Sequence, residues 1–150
     1  MSQDLRAFFY PRHVAVIGAS ENPRKIGHEI LKNIQAGGFS GNIYPINPTS
    51  SQILGMPCYT GIGRVPGPVD LAVVVIPAGR VPQAIAECGK KGVAAAVIIT
   101  GGFSEAGASG EVLQKQTVEA AKQHGVRLIG PNCQGLNNPH ASLCASWPLL

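Results

Sequence analysis

The stretch Val14-Ala15-Val16-Ile17-Gly18-Ala19-Ser20-Glu21-Asn22-Pro23-Arg24-Lys25-Ile26-Gly27 constrains this chain more than any other. Its first half is a short run of β-branched and small apolar residues, the composition of a strand buried on both faces. The run ends at Gly18, a residue at which backbone can approach another group closely. Beyond the turn, Ile26, Ile30 and Ile34 recur at helical spacing. The free N–H groups that open this helix therefore point back toward Gly18 and Ser20 and attract anions through hydrogen bonds and dipole together. Arg24 and Lys25 add full positive charge at the same place. The stretch predicts a strand, a turn and a helix start that hold the phosphates of a nucleotide-like ligand.

The remainder of the chain repeats this rhythm. Leu5 to Arg12 precedes the first strand, and Phe8, Phe9, Tyr10 and Pro11 form an apolar cover for the domain edge. The first strand is His13 to Ile17, and the first helix runs from Ile26 to about Gln35, stopped by Gly37-Gly38. Asn42 to Ile46 is a second strand closed by Asn47-Pro48, and so short a strand-helix-strand step implies a right-handed crossover between parallel strands. From Thr49 to Val69, prolines and glycines predict a long connection with a single helical turn. Asp70 to Ile76 is a third strand, unbroken by polar residues after Asp70 and hence central. Val81, Ile85 and Cys88 line one face of a second helix closed by Gly89 and Gly92. Ala94 to Thr100 is a fourth strand with its turn at Gly101-Gly102, Glu111 to Gln123 a third helix, and Val126 to Ile129 a fifth strand leading into Gly130-Pro131-Asn132-Cys133.

Five strands alternating with helices, without a hairpin signal, argue for an α/β, doubly wound, five-stranded parallel sheet of Rossmann-like type with strand order 3-2-1-4-5. Ligands of such sheets sit off the carboxyl ends of the strands. The segments gathered there are Gly18 to Lys25, Asn47 to Ser50, Pro77-Ala78-Gly79, Thr100 to Glu105 and Gly130 to Cys133, which carry most of the turn-forming and polar residues.

Bulk properties narrow the function. A chain of 150 residues with 45% hydrophobic content suits one compact domain. The net charge of +4 is compatible with an anionic ligand, but its cations are scattered and aromatics reach only 5%, so neither a basic stripe nor a stacking platform for nucleic acid is encoded. The first six residues lack the apolar core of a signal peptide and no run has membrane-spanning length, which predicts a soluble, cytoplasmic protein. Cys58, Cys88, Cys133 and Cys144 lie far apart with no C-x-x-C pair; no metal site is encoded and the thiols are expected to be reduced.

Two common phosphate motifs are absent. A dinucleotide fold wants G-x-G-x-x-G and an acidic residue at the end of the second strand. Here the turn is Gly18-Ala19-Ser20 and the second strand ends in Asn47-Pro48, which disfavours NAD. The pattern G-x-x-x-x-G-K-[ST] of P-loop hydrolases is also missing.

The motifs instead resemble the CoA-binding domain of the NDP-forming acyl-CoA synthetases, relatives of the succinyl-CoA synthetase α subunit. The resemblance covers nearly the whole chain. It is carried by Gly18-Ala19-Ser20 with Pro23, Lys25 and Gly27, by Ile43-Tyr44-Pro45-Ile46-Asn47-Pro48, and by Asp70-Leu71-Ala72-Val73. Thr100-Gly101-Gly102-Phe103-Ser104-Glu105-Ala106-Gly107 and Gly130-Pro131-Asn132-Cys133-Gln134-Gly135 complete the series in order.

This resemblance implies that the 3′-phospho-ADP moiety of coenzyme A lies across the carboxyl edge of the sheet. Gly18, Ala19, Ser20, Pro23, Arg24, Lys25 and Gly27 then surround its phosphates, Asn47, Pro48, Thr49, Ile76, Pro77, Thr100 and Gly101 line adenosine and pantetheine, and Asn132 and Cys133 lie near the reactive end. The family often places a lysine where this chain has Thr49, so one phosphate contact is lost or supplied by Arg24. In the full enzymes, acid, CoA and ATP or GTP yield acyl-CoA through an acyl phosphate, with a phosphorylated histidine and an ATP-grasp unit in other domains or a partner subunit. None of those parts is expected in residues 1–140, the CoA-binding domain, or in 141–150, read as the start of a linker. The resemblance thus makes the chain part of a longer ligase, without turnover on its own; a stand-alone CoA or nucleotide sensor is the other class left open.

The remaining reactive side chains have structural readings. His13 stands at a strand entry, His28 in a first helical turn and His124 at a helix end, where a cation is favoured; with His140, none falls in the family's phosphohistidine motif. Cys133 has no basic neighbour to make it a nucleophile. No catalytic residue is assigned. Lys25 faces the helix dipole and is read as an anion partner, whereas Glu105 suits a helix cap as well as a ligand contact.

Overall fold

The structure is a computed structural model and describes residues 5–148. In chain order its elements are α1 (Arg6–Phe9), β1 (His13–Ile17), α2 (Ile26–Ala36), β2 (Asn42–Ile46), β3 (Gln52–Ile53), β4 (Met56–Pro57), β5 (Leu71–Val74), α3 (Val81–Lys91), β6 (Ala95–Ile98), α4 (Ala108–His124), β7 (Arg127–Ile129), β8 (Gly135–Asn138) and β9 (Leu143–Ser146). Five strands form one parallel sheet in the order β2-β1-β5-β6-β7.

Side chains of a strand alternate between faces, and the core divides accordingly. Ala15, Ala72, Val74, Ala96 and Ile98 face one layer with Val81, Ile85 and Cys88 of α3 and Ala121 of α4. Val14, Val16, Leu71, Val73, Ala95 and Val97 face the other, with Ile30, Leu31 and Ile34 of α2. Helical layers on both faces are the reason β1, β5 and β6 read as unbroken apolar runs rather than alternating ones. Asp70 locks the entry of this sheet, its Oδ2 accepting the backbone N–H of Arg12 at 2.8 Å and of His13 at 2.9 Å.

The order 3-2-1-4-5 is present, but a different segment fills its third place. Tyr59 makes a parallel bridge to Ile46 beyond β2, its N–H donating to Pro45 O at 3.0 Å while Asn47 N–H donates to Tyr59 O at 2.9 Å. This vestigial strand is the third. The strand read as third, Asp70 to Ile76, lies instead beside β1 as β5, so the five long strands alone run 2-1-3-4-5. The sequence concealed this because a single bridge needs no apolar run.

Two further corrections concern hairpins, for which no signal was read. β3 and β4 pair antiparallel across Leu54-Gly55, both at positive φ, 50° and 78°. A leucine in that conformation is uncommon, so the turn lacks the usual Asn-Gly mark. The hairpin replaces a helix between β2 and β5, and the one helical turn expected there is the 3-10 turn Ile62–Arg64. The second hairpin, β8 with β9, includes residues 143–146 of the stretch read as the start of a linker. Leu143 and Ala145 are buried in the layer of α2, and Asn33 Nδ2 donates to Ser146 O at 2.9 Å. The packed unit therefore reaches Trp147, whose Nε1 donates to Glu29 Oε2 at 2.5 Å.

Candidate functional site

The chain turns back at β1: β2 and the Tyr59 segment lie to one side, β5 to the other. Such a switch point opens a crevice beyond the carboxyl ends of the two central strands. Gly18 follows β1 there with φ +96°, its backbone pressed against Val75 so that any Cβ would enter the Val75 carbonyl. Gly27, in the first turn of α2, packs with equal closeness on the Gly18 carbonyl. These two contacts bring the helix start against the strand end, and neither tolerates a side chain.

The turn between them is held by its own polar groups. Ser20 Oγ accepts from Asn22 N at 3.1 Å, Asn22 Oδ1 from Arg24 N at 3.0 Å, and Asn22 O from Lys25 N at 3.0 Å. His28 Nδ1 donates to Ser20 O at 2.8 Å, a bracing role rather than a chemical one. Lys25 occupies the cap position of α2 in extended conformation, and no side chain caps the helix. An uncapped N-terminus keeps its donors for a ligand. Pro23, Arg24 and Lys25 are exposed, and the two cations make no ion pair among the described residues.

Asn47 is tied to the same turn. Its Nδ2 donates to Ala19 O at 2.8 Å, and its Oδ1 accepts from Thr49 N at 2.9 Å, Thr49 Oγ1 at 3.1 Å and Ser50 N at 3.2 Å. Both ends of the carboxamide are spent on backbone and hydroxyl partners, so Asn47 shapes the site. Thr49 turns its hydroxyl inward, and Pro48 is exposed on the rim.

A cleft of about 150 Å³ opens beside this turn, lined by Gly18, Pro48 and Ile76 from the expected set. Apolar Ile17, Ile46 and Ile62 continue its walls. The sequence reading missed its far side, where Arg80, Gln83, Ala84 and Glu87 also line it. Their spacing of i, i+3, i+4 and i+7 places them on one stripe of α3, next to the core stripe Val81, Ile85 and Cys88. The legible signal was a second periodic stripe on the same helix.

Thr100, Gly101, Asn132 and Cys133 gather at the same sheet edge over β6 and β7 but do not line the cleft. They connect to it through Thr100, whose Oγ1 donates to Ile76 O at 2.7 Å just before the exposed Pro77. Asn132 N donates to Thr100 O at 2.9 Å, and Asn132 takes the left-handed φ of 55° that its side chain tolerates. Glu105 receives the N–H groups of Gly102 and, at 3.0 Å, Phe103. Those bonds, led by that of Phe103, hold its carboxyl below the ordinary range and brace the loop. Cys133 Sγ donates to Ile98 O at 3.3 Å, and burial pushes its thiol up, away from the thiolate a nucleophile needs. Among the described residues no group of three His, Cys, Asp or Glu is placed to hold a metal ion.

Residues 12–139 match the CoA binding domain family. The chain belongs to that family. This domain is 46% identical over 143 residues to the ADP-forming acetate–CoA ligase I of Archaeoglobus fulgidus, covering 95% of this chain and 21% of the ligase. It is 46% identical over 140 residues to the α subunit of the ADP-forming acetate–CoA ligase II of Pyrococcus furiosus, covering 93% and 30%. Among solved structures it superposes with TM-score 0.92 and 44% identity on the dinucleotide-forming acetyl-coenzyme A synthetase 1 of Ca. Korarchaeum cryptofilum in complex with phosphate and ADP, covering 95% and 30%. The chain thus spans between a fifth and a third of the length of these relatives. No helix among the described residues is long and apolar enough to cross a membrane.

Proposed function

We propose that the domain binds coenzyme A across the carboxyl edge of its sheet and serves as the CoA-binding part of an NDP-forming acyl-CoA synthetase. The observation that carries this reading is the uncapped start of α2, flanked by Arg24 and Lys25 and packed through Gly27 on Gly18, which lines a cleft at the switch point. Donors and cations at the helix start and isoleucine walls in the neighbouring cleft fit a ligand with adjacent phosphates and an apolar-faced base. Gly18, Ala19, Ser20 and the neighbouring Pro23, Arg24, Lys25 and Gly27 make the diphosphate cradle, with Pro48, Ile76 and Pro77 along the adenosine. The loops of Thr100, Gly101, Asn132 and Cys133 guide the pantetheine outward.

In the full reaction an acid is activated as acyl phosphate at the cost of ATP or GTP, and the thiol of CoA displaces the phosphate. This chain contributes binding and orientation of the thiol; the phosphorylated histidine and the ATP-grasp unit belong to other domains or to a partner subunit. Free cysteines throughout the described residues fit a cytoplasmic setting. Calorimetry with CoA, dephospho-CoA and NAD tests the reading: CoA is expected to bind tightest, and equal affinity for NAD and CoA overturns it.

A further inference from the structure

Glu29 is the acidic residue in the first turn of α2, and Lys25 stands at the cap of the same helix. Lys25 O accepts the Glu29 N–H at 3.3 Å, so the two residues lie one turn apart along the axis. Helical side chains lean toward the N-terminus, and opposite charges at this spacing are natural partners. Glu111 and Lys115, equally spaced on α4, do meet, at 3.1 Å, yet among the described residues Lys25 makes no ion pair. The Glu29 carboxylate is taken instead by Trp147, whose Nε1 donates to Oε2 at 2.5 Å across 118 residues of chain. Trp147 is itself held: its backbone N–H donates to Gln134 O at 2.9 Å, and its side chain packs against the apolar layer of α2. A fixed indole donor therefore decides where this carboxylate rests.

We propose that Trp147 is a positioning residue for the ligand's phosphates: by holding the Glu29 carboxylate, it keeps Lys25 free to meet them. The inference rests on the CoA reading and adds to it a residue of the C-terminal hairpin that touches no part of the ligand. A carboxylate released from the indole would oppose an anionic ligand in two ways. It would pair with Lys25, a bond the phosphates must then break. It would also set a negative charge at the helix end whose dipole and free N–H groups draw phosphate. The indole is neutral, so it occupies the carboxylate without bringing a second cation that would compete with Lys25 for the diphosphate.

The test is calorimetry with CoA on the parent, on Trp147→Phe, on Glu29→Gln and on the double variant. Phenylalanine keeps an aromatic ring but has no N–H, whereas glutamine still accepts from the indole and cannot form an ion pair with Lys25. Trp147→Phe is expected to weaken CoA binding roughly threefold, the scale of an exposed pair one turn apart plus the added repulsion. That loss should shrink as salt is raised. Glu29→Gln alone should bind CoA at least as tightly as the parent. The double variant shares any packing lost in Trp147→Phe, and the unfolding midpoints of these two should agree, but its CoA affinity should return to that of Glu29→Gln. Damage to packing alone would give no such rescue. Affinity unchanged in Trp147→Phe, or equally weak in that variant and the double variant, overturns the inference and leaves the CoA site standing. A parent that does not bind CoA overturns both.

Discussion

Asn47 Nδ2 donates to the Ala19 carbonyl at 2.8 Å, fastening the end of β2 to the turn that follows β1. The same side chain accepts three bonds from Thr49 and Ser50, so one carboxamide sets the relative position of two loops of the site. Asn47→Asp keeps the acceptors but loses the donor and places a negative charge beside the phosphate turn. We expect it to destabilise the fold by about 1–3 kcal/mol in urea unfolding, the cost of an unmade bond to a partly buried carbonyl. CoA affinity should fall further than it does in Asn47→Ala, since only Asp repels the diphosphate. Equal loss in both variants would show that charge at this position is immaterial.

Gly27 tests how closely strand and helix must meet. Alanine ordinarily gains up to about 1 kcal/mol over glycine inside a helix. Here its Cβ would press into the Gly18 carbonyl, with Gly18 C at 2.9 Å and Ala19 Cα at 3.4 Å, and all of these are backbone atoms that cannot swing aside. Overpacking therefore wins, and Gly27→Ala should destabilise by about 1–3 kcal/mol. Gly63→Ala, with nothing within 4 Å of its Cβ, should be neutral or gain up to about 1 kcal/mol. Chemical denaturation of the two variants side by side decides between the terms.

Lys25→Ala removes an exposed cation that no described carboxylate pairs with. Folding stability should stay within about 0.5 kcal/mol. CoA binding should weaken by about 1–2 kcal/mol, the scale of a charge-assisted hydrogen bond. The difference should shrink as salt is raised, because exposed charges are screened. Unchanged binding at low salt would remove Lys25 from the site.

The docking of the C-terminal hairpin is open to measurement through Leu143, which is 2% exposed. Leu143→Ala should cost about 2–5 kcal/mol, as for other buried leucines. Truncation after residue 140 removes that side chain together with Ala145 and the partners of Asn33 and Glu29, and is expected to expose α2 to rapid hydrogen exchange. A truncated chain with unaltered protection in α2 would show that the hairpin is dispensable.

Glu105 links pH to stability. Its carboxyl is held below the ordinary value of 4.5 by the N–H groups of Phe103 and Gly102. The folded state therefore binds this proton more weakly than the unfolded state, and the contribution is fully present above the ordinary range and lost as pH falls through the folded value. Glu105→Gln should lower the urea midpoint near neutrality and flatten its decline as pH falls below the ordinary carboxylate range. Parallel pH profiles for parent and variant would exclude the carboxylate from that decline.

Residue patterns far apart in the chain were legible for different reasons. Val14 to Ile17, Leu71 to Val74 and Ala95 to Ile98 are apolar throughout, and each became a strand buried on both faces because only a doubly covered sheet hides such runs. The turn Gly18 to Lys25 was legible because its requirements, a positive φ, a close approach and a charged helix start, are local chemistry. Asn47 was noted at the site, but its use as a bracket was not visible, since its partner Ala19 lies 28 residues away. The stripe Arg80, Gln83, Ala84 and Glu87 was passed over because periodicity reports that a helix has an apolar face, not which neighbouring face borders a cleft.

By itself, then, the amino-acid sequence determined the alternation of buried strands and amphipathic helices, the turns between them and the positively polarised strand-to-helix junction. These depend on side-chain pattern and backbone freedom within a few residues. Only the tertiary structure decided that Tyr59 supplies the third strand position, that β9 packs against α2, and that α3 turns Gln83 and Glu87 toward the site. Each of those rests on contacts such as Asn33 with Ser146, 113 residues apart, where the energy lies in the docking of elements and no local pattern records it.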